Sequence, residues 1–184
     1  ILLDNSAIGH GVTHESVWIN TGTSLWGGVI PVPTGYSARI PVHAHDNDGR
    51  LYKEVTDLVG LAELAKRGLI KFVTSAELQI EAIRHPMGRL RGYGVDDLNI
   101  FDGLNIPSID GYHAIDSDLT ASQKSRVATS TVEPFAQIKE FFPEKSNLDV
   151  WHLHTAHINK LFCFLAIDFP LSDNYGRAKI RNGF

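Results

Sequence analysis

Three short apolar runs along the chain have the pattern of buried β-strands. Residues 1–3 are apolar and stop at Asp4, residues 69–73 are apolar except for Lys71, and residues 162–167 form a third run that stops at Asp168. An unbroken apolar run of this length is typical of a strand that is covered on both faces. The pattern therefore predicts a buried sheet in which two strands end directly before an aspartate.

Apolar residues at helical spacing occur between and after these runs. Gly68, Pro86 and Pro143 stand where three of these segments should end, because glycine favours a helix C-terminus and proline cannot continue a helix. The predicted helices cover residues 54–67, 74–85, 131–142 and 146–159. Strands that alternate with helices predict the α/β class, with three layers (αβα) around a central, mostly parallel sheet.

Two long segments do not fit this alternation. Residues 16–50 are rich in glycine, proline and β-forming residues, which favours short strands or hairpins, and residues 98–101 suggest another short strand. Residues 1–184 show no internal repeat and no linker that would mark a domain boundary. We therefore interpret the chain as a single domain with irregular or β-rich insertions around residues 10–52 and 87–130.

Acidic residues stand at the ends of the predicted elements. Asp4 and Asp168 directly follow strands, whereas Glu77 and Asp149 lie in the first turns of helices. The carboxyl ends of the strands form the functional edge of a parallel sheet. Carboxylates that meet there would repel one another unless they shared a cation, and oxygen ligands suit Mg²⁺ or Mn²⁺. Taken singly, each acid also has a simpler interpretation as a helix cap or turn residue.

Three stretches of the chain resemble the PIN-like domain nuclease family. They are the strand, Asp and Ser at residues 1–6, the Ser and Glu-Leu helix start at residues 73–78, and the Asp, Thr-Ala helix with its following strand and Asp at residues 149–169. The two insertions depart from the family's pattern, as does Ala166, where the family usually has Thr. The resemblance implies a metal site formed by Asp4, Glu77, Asp149 and Asp168, with Ser6 and Ser75 as hydrogen-bonding neighbours.

This resemblance implies a ribonuclease that uses Mg²⁺ or Mn²⁺. A metal-activated water would hydrolyse phosphodiester bonds of RNA, or of single-stranded DNA, and leave a 5′-phosphate and a 3′-hydroxyl. Many members of the family belong to toxin-antitoxin pairs, so an inhibitory protein partner and a homodimer are further expectations. The basic residues that could hold nucleic acid are Arg84, Arg89 and Arg91, and at the other end of the chain Arg177, Lys179 and Arg181.

Other functions stay open at this point. A zinc-dependent hydrolase could use His43, His154 and His157, although the residues after His43 lack the full metallo-β-lactamase motif. A non-catalytic PIN-like module could bind nucleic acid or protein without cutting it. The aromatic residues that could stack on bases, or serve packing alone, are Trp18, Trp26 and Tyr36.

Composition and net charge limit the kinds of partner that the chain is expected to bind. The hydrophobic share of 43% and the charged share of 21% are ordinary for a globular protein. A formal net charge of -4 gives no global attraction to nucleic acid, so a polyanion would need a local patch or bound cations. Cys163 is the only cysteine and is expected to be a reduced, buried thiol. Because no apolar stretch is long enough to span a bilayer, we expect a cytoplasmic protein without a membrane partner.

Overall fold

The computed structural model describes residues 1–43, 49–84, 96–110 and 127–168, together with residues 89–90, 93–94, 123 and 125. In chain order, its strands are β1 (Leu2–Leu3), β2 (Val12–Trp26), β3 (Ile30–Pro41), β4 (Arg89–Leu90), β5 (Tyr93–Gly94), β6 (Leu98–Asn99) and β7 (Phe164–Leu165). Its helices are α1 (Asn5–His10), α2 (Gly49–Lys66), α3 (Ala76–Ala82), α4 (Phe135–Lys139) and α5 (Asn147–Ile158).

A small parallel sheet joins the start of the chain to its last described strand. In this sheet β1 pairs with β7, so that Leu2 lies opposite Phe164 and Leu3 opposite Leu165. On the other side of β1, Leu2 forms a single parallel bridge with Val73, just before α3. The ends of β1 and β7 and the start of α3 are therefore neighbours, which is what brings the candidate site together.

The prediction of a central, mostly parallel sheet in three layers is wrong. The described strands form the parallel pair β1–β7, an antiparallel sheet in the order β3–β2–β6 and the antiparallel pair β4–β5. The apolar run at residues 69–73 contributes only the bridge at Val73, and Leu69 at its start is 69% exposed. Strand propensity specifies neither the partner nor the length of pairing, so these short runs give brief pairings while the longest strands belong to a hairpin.

The predicted helices are found with altered ends. Helix α2 begins at Gly49 rather than at residue 54, and α5 matches its prediction closely. The segment 131–142 forms only the short helix α4, because Pro134 lies at its N-cap and stops the helix from extending towards the N-terminus. Within the segment 16–50, the residues up to Pro41 belong to the expected hairpin, in which β2 is antiparallel to β3. Among the described helices, none has both the length and the apolar character needed to cross a membrane.

Burial of β1 fixes the position of the candidate site. Leu2 and Leu3 are fully buried; Leu3 lies in a cluster with residues of α1 and α2, whereas Leu2 contacts Leu78 of α3 and Ala156 of α5. Burying one such side chain stabilises the fold by roughly 2 to 3 kcal/mol. The residue that follows β1, Asp4, is therefore held rigidly beside both α3 and α5.

Candidate metal centre

Asp4 is fixed where β1 ends and α1 begins. Its backbone N–H donates to the carbonyl of Leu165 at 2.9 Å, and its Oδ2 accepts from the backbone N–H of Ser6 at 2.7 Å, which caps α1. The hydroxyl of Ser6 also donates to Oδ2 and accepts a hydrogen bond from the N–H of Ile167 at 3.2 Å. Ser6 therefore ties the carboxylate of Asp4 to the residues that follow β7.

Two further side chains meet Asp4. Glu81 in α3 and His152 in α5 each place a potential ligand atom within 4.8 Å of the others and of a carboxylate oxygen of Asp4. Nε2 of His152 lies 3.1 Å from Oε1 of Glu81, and His152 is only 1% exposed. Three segments that are far apart in the sequence therefore direct polar side chains into one small volume.

Asp149 and Asp168 belong to the same electrostatic environment. Burial raises the pKa of Asp149 to about 6; His152 opposes this rise, whereas the charges of Asp168, Asp4 and Glu81 add to it. Asp149 therefore lies close enough to three other carboxylates to be affected by each. We refer to Asp4, Glu81, Asp149, His152 and Asp168 together as the acidic cluster.

His152 supplies the cationic group within this cluster. Burial alone would lower its pKa, but Glu81 raises it through charge and a hydrogen bond, and Asp4 and Asp149 add to the effect, so that the net pKa of His152 is raised above 6.5. A protonated His152 offsets part of the negative charge around it. The same carboxylates that favour the imidazolium would favour any other cation placed among them.

From the expected set, Asp4 belongs to the converging group and Asp149 and Asp168 lie within electrostatic range of it, whereas Glu77 lies elsewhere on α3. Glu77 is buried in the first turn of that helix, and the group of converging ligand atoms contains Glu81 in its stead. Residues four apart share a helix face, so Glu81 lies one turn further along the same side of α3 as Glu77. This spacing was the sequence signal that could have identified Glu81.

Ser75 has a structural position. Its hydroxyl oxygen accepts from the backbone N–H of Leu78 at 3.4 Å and caps α3, which orients the helix that carries Glu81. His152 was also missed by sequence reasoning, although it follows Asp149 by three residues and therefore lies on the same face of α5. Both additions follow from helical periodicity applied to an acidic residue that was already under consideration.

The basic residues proposed for nucleic-acid contact are only partly described. Arg84 is exposed just after α3, and its guanidinium donates to Oε1 of Gln123 at 3.1 Å. The amide nitrogen of Gln123 in turn donates to the backbone carbonyl of Glu77 at 3.1 Å. The side chain of Arg89 lies outside the described residues, as do Arg91, Arg177, Lys179 and Arg181.

The histidines of the zinc alternative lie apart from the acidic cluster. Nε2 of His43 is 2.9 Å from the backbone carbonyl of His10. His154 is buried against the rings of Phe135 and Trp151, and burial together with the charge of His157 lowers its pKa. Within the described ranges, none of the three zinc candidates belongs to a group of three or more converging ligand atoms.

Comparisons with known proteins return no relative of this chain. No family model, no curated protein and no solved structure matches it. The resemblance to PIN-like nucleases therefore depends on the three short stretches of sequence alone.

Proposed function

We propose that the acidic cluster binds a divalent cation and that the chain is a metal-dependent nuclease that hydrolyses phosphodiester bonds of RNA or single-stranded DNA. The observation that carries this proposal is the convergence of Asp4, Glu81 and His152, from three distant segments, within 4.8 Å. Gathering carboxylates in a partly buried place costs free energy, and a bound cation offsets that cost. Mutual repulsion among these carboxylates destabilises the fold, so their convergence is better explained by cation binding than by a contribution to stability.

The donor set fits a cation of this kind. Two ligands on one ion at about 2.1 Å lie at most about 4.2 Å apart, so the side chains need to close by only a fraction of an ångström. Carboxylate oxygens suit Mg²⁺ and Mn²⁺, and the imidazole of His152 adds a nitrogen that Mn²⁺ accepts more readily than Mg²⁺. Among the two, we therefore expect Mn²⁺ to bind more tightly.

Three carboxylates of the cluster have assigned tasks in this proposal. Asp4 and Glu81 hold the cation, and Ser6 keeps the carboxylate of Asp4 in place. Asp149, a carboxylate within electrostatic range of Asp4 and Glu81, would accept a proton from the attacking water. When bound, the cation would lower the pKa of that water and neutralise charge on the phosphate.

The choice of a nucleic-acid substrate is supported by the sequence resemblance. A formal net charge of -4 would repel a polyanion, so a cation at the cluster also gives the phosphate a local attraction. Arg84, exposed one turn after Glu81, offers a second positive group next to the cluster along the chain. A toxin-antitoxin role with an inhibitory partner stays part of this hypothesis through the resemblance alone.

The test is cleavage of end-labelled single-stranded RNA and DNA with Mn²⁺, with Mg²⁺ and with chelator. We expect cleavage that requires a metal and falls at least about 100-fold in both Asp4→Asn and Asp149→Asn. Asparagine keeps the cap of α1, so Asp4→Asn removes charge without removing the hydrogen bond. Asp57→Asn, an exposed change on α2, is the matched control and should cleave as the unmodified chain does.

Two results would contradict the nuclease proposal. One is cleavage that persists in both variants, which would assign the activity to a contaminant or another site. The other is a chain that binds RNA but cuts neither substrate with any metal, which would favour a non-catalytic binding module.

A zinc-dependent hydrolase remains a second candidate because His152 lies within the cluster. One imidazole and carboxylates form a set that zinc also accepts, although it would be a different set from His43, His154 and His157. Elemental analysis of the purified protein separates the two. Stoichiometric zinc that is lost in His152→Gln would favour this candidate over the Mn²⁺ enzyme.

A further inference from the structure

The hairpin of β2 and β3 has a composition unlike the rest of the chain. Residues 16–38 contain no Asp, Glu, Lys, Arg or His. The two strands pair along their whole length, from His14 opposite Pro41 to Trp26 opposite Ile30 at the tip. We refer to residues 16–38, with the turn between the strands, as the ribbon. Beyond His14, no strand in the described part of the chain pairs with the other side of β2.

The register of the ribbon separates two faces. Side chains of directly opposed residues lie on the same face, and Ile19 faces Tyr36, Ser24 faces Val32 and Trp26 faces Ile30. A bulge at residues 20–22 shifts the alternation along β2, so that Ile19 before it and Trp26 after it lie on the same face. The hydroxyls of Thr21 and Thr34 lie 3.3 Å apart at this bulge. The large exposed residues of this apolar face are Ile19, Trp26, Ile30, Val32 and Tyr36.

The opposite face has more polar residues and fewer large exposed apolar side chains, which are Trp18 and Leu25. Trp18 lies there with its ring over Gly35, so close that a Cβ added to Gly35 would lie 2.6 Å from a ring atom. The hydroxyls of Ser16 and Ser37 lie 2.8 Å apart on the same side. Trp18 packs against Gly35 within the ribbon and is 62% exposed, whereas Trp26 on the apolar face is 74% exposed.

A face with so many large apolar side chains exposed to water is unusual. Trp26, Ile30 and Tyr36 are 74%, 60% and 55% exposed, and they lie on one face together with Ile19 and Val32. Contiguous apolar patches on a soluble protein mark interaction sites, and a two-stranded hairpin alone is only marginally stable. The ribbon is therefore expected to be covered by a partner.

The chemistry of the ribbon narrows the partner. Nucleic acid is disfavoured because the ribbon has no Lys or Arg to contact phosphates. A lipid bilayer is disfavoured because the open strand edges would leave backbone N–H and C=O groups unsatisfied in hydrocarbon. Packing against protein covers the face and leaves the edges in water. A surface without charges needs no complementary charges, so it can pack against itself around a two-fold axis.

We propose that the apolar face of the ribbon is the interface with a second copy of this chain, in which two ribbons pack face to face. Pro31 and Pro33, two residues apart in β3, and Pro41 at its end lack the N–H that a new strand would need, which disfavours association through that edge. The ribbon is about 40 Å long and about 10 Å wide, so each copy would bury on the order of 500 Å². A total of about 1,000 Å² is the lower limit of a specific interface, so the dimer should be reversible at micromolar concentrations.

Sedimentation equilibrium over a wide range of micromolar concentrations tests this interface. The unmodified chain should show a monomer–dimer equilibrium, and Trp26→Lys should raise the dissociation constant at least about tenfold. Trp18→Lys is the matched control: it introduces the same charge at an exposed tryptophan of the same strand but on the opposite face, and should change the constant less than about threefold. Ile30→Lys, at a site 60% exposed, should act as Trp26→Lys does.

Circular dichroism and thermal unfolding of each variant would show that the monomers remain folded. The proposal is overturned if the unmodified chain is monomeric at every concentration, if it forms open-ended aggregates without a dimer, or if Trp18→Lys weakens association as much as Trp26→Lys. Asp4→Asn should leave the dimer unchanged, so this test is independent of the proposed metal chemistry.

Discussion

The acidic cluster and the ribbon depart from the usual distribution of residues in opposite directions. The cluster places four carboxylates and a histidine in a partly buried site, with His152 only 1% exposed. The ribbon places large apolar side chains in water, with Trp26 at 74% exposure, and has no charged residue between positions 16 and 38. Charged groups normally stay outside and are paired when buried, and large apolar patches are normally covered.

This difference indicates which kind of binding partner each of the two regions needs. The cluster has an excess of negative charge that a small cation would offset, whereas the ribbon has an excess of apolar surface that only a large partner could cover. Substitutions in one region should therefore leave the behaviour of the other unchanged. This independence can be tested in either direction.

Glu81→Gln and Glu77→Gln form the sharpest pair, because both residues lie on the same face of α3. We expect Glu81→Gln to weaken Mn²⁺ binding by about 10- to 100-fold, since it removes a converging carboxylate, and Glu77→Gln to weaken it less than about threefold. Isothermal titration with Mn²⁺ measures both affinities. An equal or greater loss in Glu77→Gln would restore the site implied by the family resemblance. Neither change should alter the dimerisation constant of the ribbon.

The pH dependence of stability should come from the cluster. Asp149 has a pKa of about 6 in the folded protein and an ordinary value of 3.8, so the folded state holds this proton more tightly than the unfolded state does. Its contribution to the free energy of unfolding is therefore lost as pH rises from about 3.8 to about 6. His152 has a pKa raised above 6.5, so its contribution is present below that pH and is lost as pH rises through the folded pKa. Without metal, stability should therefore fall as pH rises.

Asp149→Asn isolates one part of this effect. Because asparagine cannot ionise, the metal-free variant should be more stable than the unmodified chain by about 1 to 2 kcal/mol above pH 6, after allowance for solvent screening, and should gain nothing below pH 4. Urea unfolding in chelator at the two pH values measures the difference. An equal gain in stability at the two pH values would argue against charge repulsion as its cause. Between about pH 5 and pH 8 ribbon dimerisation should not change, because residues 16–38 hold no carboxylate, imidazole or amine.

Ser6→Ala and Ser75→Ala should show the smallest effects and should differ in kind. Ser6→Ala removes hydrogen bonds to Asp4 and Ile167, so we expect a loss of about 1 kcal/mol in stability and a weakening of Mn²⁺ binding by up to about tenfold. Ser75→Ala removes the cap of α3 and should cost a similar amount of stability, with little change in Mn²⁺ affinity. Thermal unfolding and Mn²⁺ titration together separate the two. A loss of affinity in Ser75→Ala alone would reverse their assigned positions.

The sequence allowed local structure to be predicted better than the assembly of the sheet. Residues 1–3 stop at Asp4 as predicted, and the glycine- and proline-rich segment does form a hairpin. The prediction of a central parallel sheet failed because apolar runs indicate strands without indicating how many residues will pair. Residues 69–73, for example, contribute only the bridge at Val73. Pairing depends on contacts between distant residues, which a local pattern does not contain.

The candidate site was predictable in part for a related reason. Asp4 and Asp168 follow apolar runs, and that position alone drew attention to them. Glu81 and His152 lie inside helices, where neither marks the end of an element, so they emerge only when α3 and α5 are placed against β1. Helical spacing from Glu77 and Asp149 offered both as candidates, but no local signal ranked Glu81 above Glu77.

Direct binding of Mn²⁺, followed by electron paramagnetic resonance at neutral pH, tests the central claim without requiring a substrate. We predict saturable binding at a single class of site in the unmodified chain, weakened by about 100-fold or more in Asp4→Asn and unchanged in the exposed control Asp57→Asn. Absence of saturable binding, or binding that is equally tight in Asp4→Asn, would contradict a metal centre at the acidic cluster.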